Sequence, residues 1–301
     1  MKLNLLTPVA IGVVLSLGLA ACATGDSLAG GGASEGSTIV VGSQDYYSNE
    51  IIAEIYAQAL EAEGYAIERD FRIGQREVYV AEIEAGSVDL FPEYTGPLLQ
   101  YWEADTPARL EGEVYDALVE AAPSGLTVLD QSSASDQDAY VVTREFSEKY
   151  GVTTLDDLAN VTVPLTVGGN SEGENRPNGP QGLKDTYGVN VGFTPIEDGG
   201  GPLTLKALKD GDIQLAIIYT ADPAIGSNDL IALEDTKGLF LASHVVPIAS
   251  DKIDDKAAEI INAVSAALTP EGLVALNAQS VTDQSPAATI ADQWLAENPL
   301  N

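Results

Sequence analysis

EAGSVDLFPEYTG, residues 84–96, and KDGDIQLAIIYTA, residues 209–221, decide how this chain is organised. Each opens on a glycine turn, continues as an apolar strand-like run and closes on a Tyr-Thr pair. Gly86 and Gly211 lie 125 residues apart (211 − 86), and so do Tyr94 and Tyr219 (219 − 94). Val88, Leu90 and Thr95 recur at the same offset as Ile213, Leu215 and Thr220. In the first copy Val88-Asp89-Leu90-Phe91 reads as the strand and Pro92-Glu93-Tyr94-Thr95-Gly96 as a turn. One module used twice, once per lobe, accounts for the repetition. In open α/β sheets ligands sit beyond the carboxyl ends of the strands. Tyr94 and Tyr219 would then meet across a cleft between facing lobes. The alternative is that each tyrosine covers only its own lobe's edge, and the repetition weakens it.

Strands alternate with helices on both sides of these segments. TIVVGS from Thr38 is a short apolar strand, and a helix from about Ser48 places Ile51, Ile52, Ile55, Tyr56, Ala59 and Leu60 on one face. Gly64 ends it, AIERDF alternates as a strand, and another helix runs to Ala85. In the second half Thr154 precedes a short helix at residues 155–158. VTVPLTVG, VGFTPI and IQLAIIY read as strands, and GPQGLKDTYG and LTLKALKDG as helices. After Val245–Ile248 the chain turns helical. Ile260, Ile261, Val264 and Leu268 share a face, Thr269-Pro270 has the form of an N-cap followed by proline, and the last helix carries Ile290, Trp294 and Leu295. The order implies parallel βαβ units.

The chain has 301 residues, enough for two lobes, and 45% of them are hydrophobic, enough for a core in each. Against 14 basic residues stand 46 acidic ones, for a net charge of −32. That charge repels nucleic acid and anionic lipid headgroups and argues against either as a partner. The N-terminus reads as processing sequence. Lys2 gives a positive start, residues 5–19 are largely apolar but short for a membrane span, and Leu19-Ala20-Ala21-Cys22 follows. This resembles a bacterial lipobox, with residues 1–22 as signal peptide and Cys22 as the lipidated mature N-terminus. Cys22 is the only cysteine, so an internal disulfide is impossible. Two acyl chains anchor stably where one does not. Residues 23–37 are Gly/Ser/Ala-rich, a flexible tether with a reach of about 20 Å. Membrane contact through the anchor alone, on the extracytoplasmic side, is the expectation.

Several stretches together carry a family resemblance. VGSQDYYSNEIIAEIYAQALEAEGY, GSVDLFPEYTGPLL, DQDAYVVTREFSEKYGVTTLDDLA, ENRPNGPQGLKDTYG and LIALEDTKGLF resemble the glycine betaine/choline/carnitine binding proteins of ABC importers, over roughly Thr38 to Leu295. Pro-Glu-Tyr-Thr-Gly is the most specific piece. The resemblance implies an α/β fold of the type II periplasmic-binding-protein kind, two-lobed with two crossovers. We expect lobe 1 over residues 38–139 and 243–301 and lobe 2 over 140–242. It implies a box of tyrosines for a quaternary ammonium solute, a clamp for any carboxylate, an ABC permease and its ATPase as partners, no cofactor, no enzymatic activity and a monomer. Matched residue by residue, the box is Tyr94, Tyr140 and Tyr219, and the clamp is Arg176. The family's fourth tyrosine falls at Ser243 or His244, so that ring is missing. Gln44 stands where lysine is common, Pro97 where threonine or serine follows Tyr-Thr-Gly, and Arg76 at a small-polar position. Tyr46 and Tyr47 lie where the family has phenylalanine and threonine, and either can restore a ring. Thr95 and Tyr47 complete the expected site. Loss of the lysine and threonine leans towards choline. Arg76 pulls the other way if it faces the cleft, and is merely solvated if it does not.

The chemistry agrees with the rings. A quaternary ammonium has no N–H donors, and its diffuse charge suits π faces at about 2 kcal/mol per desolvated ring. Three rings give roughly 6 kcal/mol where micromolar binding needs about 8, so another ring or a charged group must supply the rest. Other chemistry lacks material. His244 is the only histidine, so a His-based triad or metal cluster has one member at most. DGGGPLTLK, residues 198–206, lacks the Gly-Lys-Ser/Thr of a phosphate loop and reads as a turn before a helix. The competing readings are the same fold holding another small solute, carboxylated or not, and a sensor that feeds no transporter.

Overall fold

A computed structural model describes residues 38–300. Cys22, the signal segment and the tether lie outside the described residues. Among the described residues ten strands form two five-stranded sheets. They are β1 (Ile39–Gly42), β2 (Ile67–Asp70), β3 (Leu90–Tyr94), β4 (Leu126–Val128), β5 (Asp138–Thr143), β6 (Thr166–Gly169), β7 (Gly192–Pro195), β8 (Leu215–Tyr219), β9 (Leu230–Ala232) and β10 (Val245–Ser250). The sheet orders are β2-β1-β3-β10-β4 and β7-β6-β8-β5-β9. In each, three strands run parallel and one strand from beyond the βαβ run inserts antiparallel beside the third. The two sheets have the same topology, and β3 and β8 hold the same central place in it. The sequence repeat is therefore a structural one. The fold is α/β and two-lobed, and the chain crosses between lobes twice, after β4 and after β9.

The strand in the first repeat is displaced from expectation. It starts at Leu90 and runs through Pro92 to Tyr94, and Thr95-Gly96 open the helix Thr95–Trp102 instead of closing a turn. Proline is tolerated because Pro92 faces Pro247 across the β3–β10 ladder, and β1 pairs with β3 only through Val41 and Leu90. No ladder donor is lost on either side. The Pro92 carbonyl accepts instead from the Asn49 side chain at 2.6 Å. The strand expected over residues 161–168 shrinks to β6, since Val163-Pro164 precede it as irregular chain.

Helix Tyr47–Ala62 is buried on nearly every side. It packs against Ala287–Glu297 and Asp255–Ala267, so the C-terminal helices complete the first lobe's core. Caps mark these helices where the sequence places them. Thr269 accepts from Gly272 N ahead of Pro270, and Asp254 accepts from Ala257 N. The two crossing segments bond to each other, with Ser132 N donating to Val245 O at 2.8 Å and Val245 N to Ala134 O at 3.0 Å. Gly96 sits against the return crossing. A Cβ there would lie 2.8 Å from the carbonyl oxygens of Leu241 and Ala242. That close approach is why the Tyr-Thr-Gly motif needs its glycine.

Candidate functional site: the cleft between the lobes

Tyr94 ends β3 and Tyr219 ends β8, and both line one small cavity between the lobes. They stand at the carboxyl ends of the two central strands, where an open α/β sheet receives its ligand. Tyr46, just ahead of helix Tyr47–Ala62, places its ring 4.5 Å from Tyr219 and 4.6 Å from Tyr47, centroid to centroid. An aromatic cluster thus crosses the cleft, with Tyr46 between Tyr47 and Tyr219. The hydroxyls of Tyr46, Tyr47 and Tyr94 are buried without hydrogen-bond partners. Burial holds the Tyr46 and Tyr94 pKa values well above the ordinary value, with Asp136 adding to the effect. Both rings stay neutral.

Asp136, on the first crossing, is the charged centre of the cluster. It is buried, its Oδ1 accepts from Ala221 N at 2.9 Å, and its Oδ2 has no partner. Burial pushes its pKa up to about 7; Ala221 N and Ser48 oppose the rise, and Asp222 and Asp138 add to it. Asp222 is also raised by burial, against its bond from Ala224 N. Asp138 opens β5, lines the same cavity and accepts from Asn178 Nδ2 at 3.1 Å.

Both arginines reach the cleft, and both are already committed. Arg76 is buried and donates from Nε to Glu93 Oε1 at 2.7 Å and from Nη2 to Oε2 at 3.3 Å. Burial opposes its charge, but the Glu93 carboxylate prevails and its pKa is raised well above the ordinary value. Tyr79 donates to the same carboxylate at 2.6 Å. Arg176 spans the cleft and donates to both Glu77 oxygens at 3.1 Å, with Gln75 Oε1 at the outer limit of 3.5 Å.

Two expected site residues, Tyr140 and Thr95, have other employment, and a third, Gln44, lines the cavity. Tyr140 is fully buried in the second lobe's core; its ring packs 5.5 Å from Phe240 and its hydroxyl donates to Asn178 O at 2.6 Å. The structure does not bring it into the cleft, because it lies two residues deeper along β5 than Asp138, under the core's own side chains. Thr95 accepts from His244 N at 3.0 Å and donates to Ala242 O at 3.2 Å, which spends its hydroxyl on the return crossing. Gln44 lines the cavity with its Oε1 3.4 Å from Tyr79 Oη.

The cavity holding Tyr94, Asp136 and Tyr219 measures only about 10 Å³, and a neighbouring one beside Asn170 and Tyr219 about 20 Å³. Each has room for a water at most. Outside them a chamber of about 490 Å³ is lined by Arg76, Pro97, Tyr101, Asp138, Arg176 and Asn178, which is the size of a small-molecule site. A hollow of about 660 Å³ lies on the second lobe's outer side around Phe146, Lys149, Val163 and Gln214. None of its lining side chains is a buried polar group without a partner among the described residues.

Residues 37–297 match the family described as the substrate binding domain of ABC-type glycine betaine transport systems. The chain belongs to this family. The substrate-binding domain is 24% identical over 282 residues to the glycine-betaine-binding protein of Pseudomonas aeruginosa, covering 89% of this chain and 90% of that one. It is 25% identical over 295 residues to the carnitine transport binding protein OpuCC of Listeria monocytogenes, covering 94% and 92%. A glycine betaine/carnitine/choline ABC transporter structure superposes at a TM-score of 0.69 and 20% identity, over 86% of this chain and 98% of that one. Lactococcal OpuAC in its closed form with glycine betaine gives 0.58 and 15%, over 86% and 95%. These structural likenesses establish the binding-protein fold.

Asp136 and Asp138 escaped the sequence reading. Their signal, the DQD that precedes Ala139-Tyr140, is hard to see among 46 acidic residues.

Proposed function

We propose that the protein captures a quaternary ammonium solute of the glycine betaine, choline and carnitine class and delivers it to an ABC permease driven by its ATPase. It binds its solute without transforming it, as a monomer tethered outside the cell membrane through lipidated Cys22. Residues 38–137 and 243–301 lie on one side of the cleft and residues 138–242 on the other, two residues earlier than the sequence suggests because β5 of the second sheet opens at Asp138. One observation carries the reading. Tyr94 and Tyr219, at matching strand ends, line one cavity with a buried Asp136 oxygen that has no partner, and Tyr46 packs against Tyr219. Aromatic faces and a carboxylate without N–H donors suit a cation that cannot donate hydrogen bonds. The inner space is too small for such a head as it stands, so the lobes must part to admit it and close around it.

A thermal-shift screen of glycine betaine, choline, carnitine, ectoine and amino acids, followed by calorimetry, tests the reading, since ligands that bind the native state raise its melting temperature. At least one quaternary amine should raise it and give a micromolar or tighter constant. Stabilisation by amino acids alone would refute the proposal. Metabolic labelling with a fatty-acid analogue tests the anchor. Label should enter the wild type and be absent from Cys22→Ser, and equal label in both would refute it.

A further inference from the structure

Three carboxylates, Asp136, Asp138 and Asp222, face or adjoin the aromatic cluster, and none is paired with a cation among the described residues. The two guanidinium groups in the same cleft are each held by a glutamate. A zwitterion such as glycine betaine brings an anion as well as a cation, and its carboxylate would need an arginine to leave its partner. Freeing Arg76 strands Glu93, whose side chain has no solvent exposure. Freeing Arg176 opens the bond that joins the lobes to Glu77. A monocation makes neither demand.

Resting on the proposed function, we propose that the site selects a quaternary monocation without a carboxylate, choline in preference to betaine or carnitine, and that Asp136 is its counter-charge. The surroundings of Asp136 support this from every side. The start of helix Tyr47–Ala62 presents Tyr46, Tyr47 and Ser48, and the end of β3 presents Tyr94. The end of β8 presents Tyr219, Ala221 N and Asp222, β5 presents Asp138, and Arg76 and Arg176 stand across the cavity already paired. One Asp136 oxygen is fixed by Ala221 N, so the other has a set direction and no bond. The unpartnered Tyr46 and Tyr94 hydroxyls are available to an alcohol on the ligand.

Ionisation of Asp136 makes the selection pH-dependent. With its pKa pushed up to about 7 by burial, the charged fraction rises roughly tenfold between pH 6 and 8. Choline affinity should rise by about that factor over this range, and binding near pH 7 should release protons, visible as heats that vary with the buffer's ionisation enthalpy. At pH 8 the purified full-length protein should bind choline at least about 30-fold more tightly than glycine betaine. Asp136→Asn keeps the acceptor for Ala221 N and removes the charge. It should lower choline affinity by about 30- to 100-fold and betaine affinity by a clearly smaller factor, because betaine's own carboxylate offsets part of the lost attraction. Betaine bound as tightly as choline by the wild type, or choline affinity within threefold of wild type in Asp136→Asn, overturns the inference and leaves the proposed function standing. Failure to bind any quaternary amine overturns both. If Asp136→Asn does not fold, the wild-type preference and pH profile decide alone: a flat profile or a betaine preference overturns the inference.

Discussion

Replacing Arg76 by methionine keeps most of the apolar stem and removes the guanidinium from a pair in which Arg76 is 9% exposed and Glu93 not at all. Glu93 keeps its bonds from Tyr79 Oη and Tyr94 N but loses the one cation paired with it among the described residues. Breaking one side of a buried ion pair costs about 3–5 kcal/mol, because the surviving charge stays buried and uncompensated. For a domain stable by about 10 kcal/mol that is roughly a third to a half of the whole. It corresponds to a fall in melting temperature of roughly 6–20 °C. Glu93→Gln strands the other partner and should cost a similar amount. The double variant Arg76→Met/Glu93→Gln removes both charges and should recover roughly half of either loss, so the two losses are far from additive and the double-mutant cycle gives a coupling of about 4–8 kcal/mol. Trp102 and Trp294 lie on helices of the first lobe, where the pair sits. Urea unfolding followed by tryptophan fluorescence therefore reads the right half of the molecule. A midpoint for Arg76→Met within about 1 kcal/mol of wild type at unchanged slope, or a double variant less stable than both singles, would refute the reasoning. Arg76 would then be free for a ligand anion.

Tyr94→Ala and Tyr219→Ala should each weaken binding of a quaternary amine by about 1–3 kcal/mol, roughly 5- to 150-fold. Tyr140→Ala should instead cost about 3–5 kcal/mol of stability while the folded protein keeps its affinity, and calorimetry beside thermal melts separates the two outcomes. Arg176→Ala should weaken betaine and choline alike, by no more than about fivefold, because Glu77 is 41% exposed and the pair serves closure; a loss confined to carboxylated ligands in parallel titrations would show a clamp instead. Asp136→Asn should stabilise the ligand-free protein at pH 8. The folded pKa of about 7 lies above the ordinary 3.8, so the folded state binds this proton more tightly. This group's contribution is most favourable below about pH 4 and declines by on the order of 4 kcal/mol as pH rises to about 7. Melting curves of wild type and variant should therefore coincide near pH 4 and diverge by pH 8; curves that stay together throughout would exclude the buried carboxylate as a cost.

Much of the fold was legible because the signals are local. The 125-residue repeat placed Tyr94 and Tyr219 at matching strand ends, and Thr269-Pro270 marked a helix start that the structure keeps. Helix Tyr47–Ala62 announced itself by its apolar spacing. The strand through Pro92 was not legible, since proline in a central strand is acceptable only opposite another proline and beyond the end of β1. Tyr140 misled for a similar reason. Its position along β5 could be counted, but whether a ring there faces the cleft depends on Phe240 and Asn178, which arrive from elsewhere in the chain.

The sequence by itself determined the two-module α/β design, the central strands and the aromatic residues at their carboxyl ends, because apolar period and turn chemistry act over a few residues. Tertiary structure alone decided which charges are free. Arg76 and Glu93 are 17 residues apart, and Arg176 and Glu77 are 99. Pairing across such distances leaves no local pattern. The same is true of the unpartnered oxygen of Asp136, one acidic residue among many until burial takes its water away.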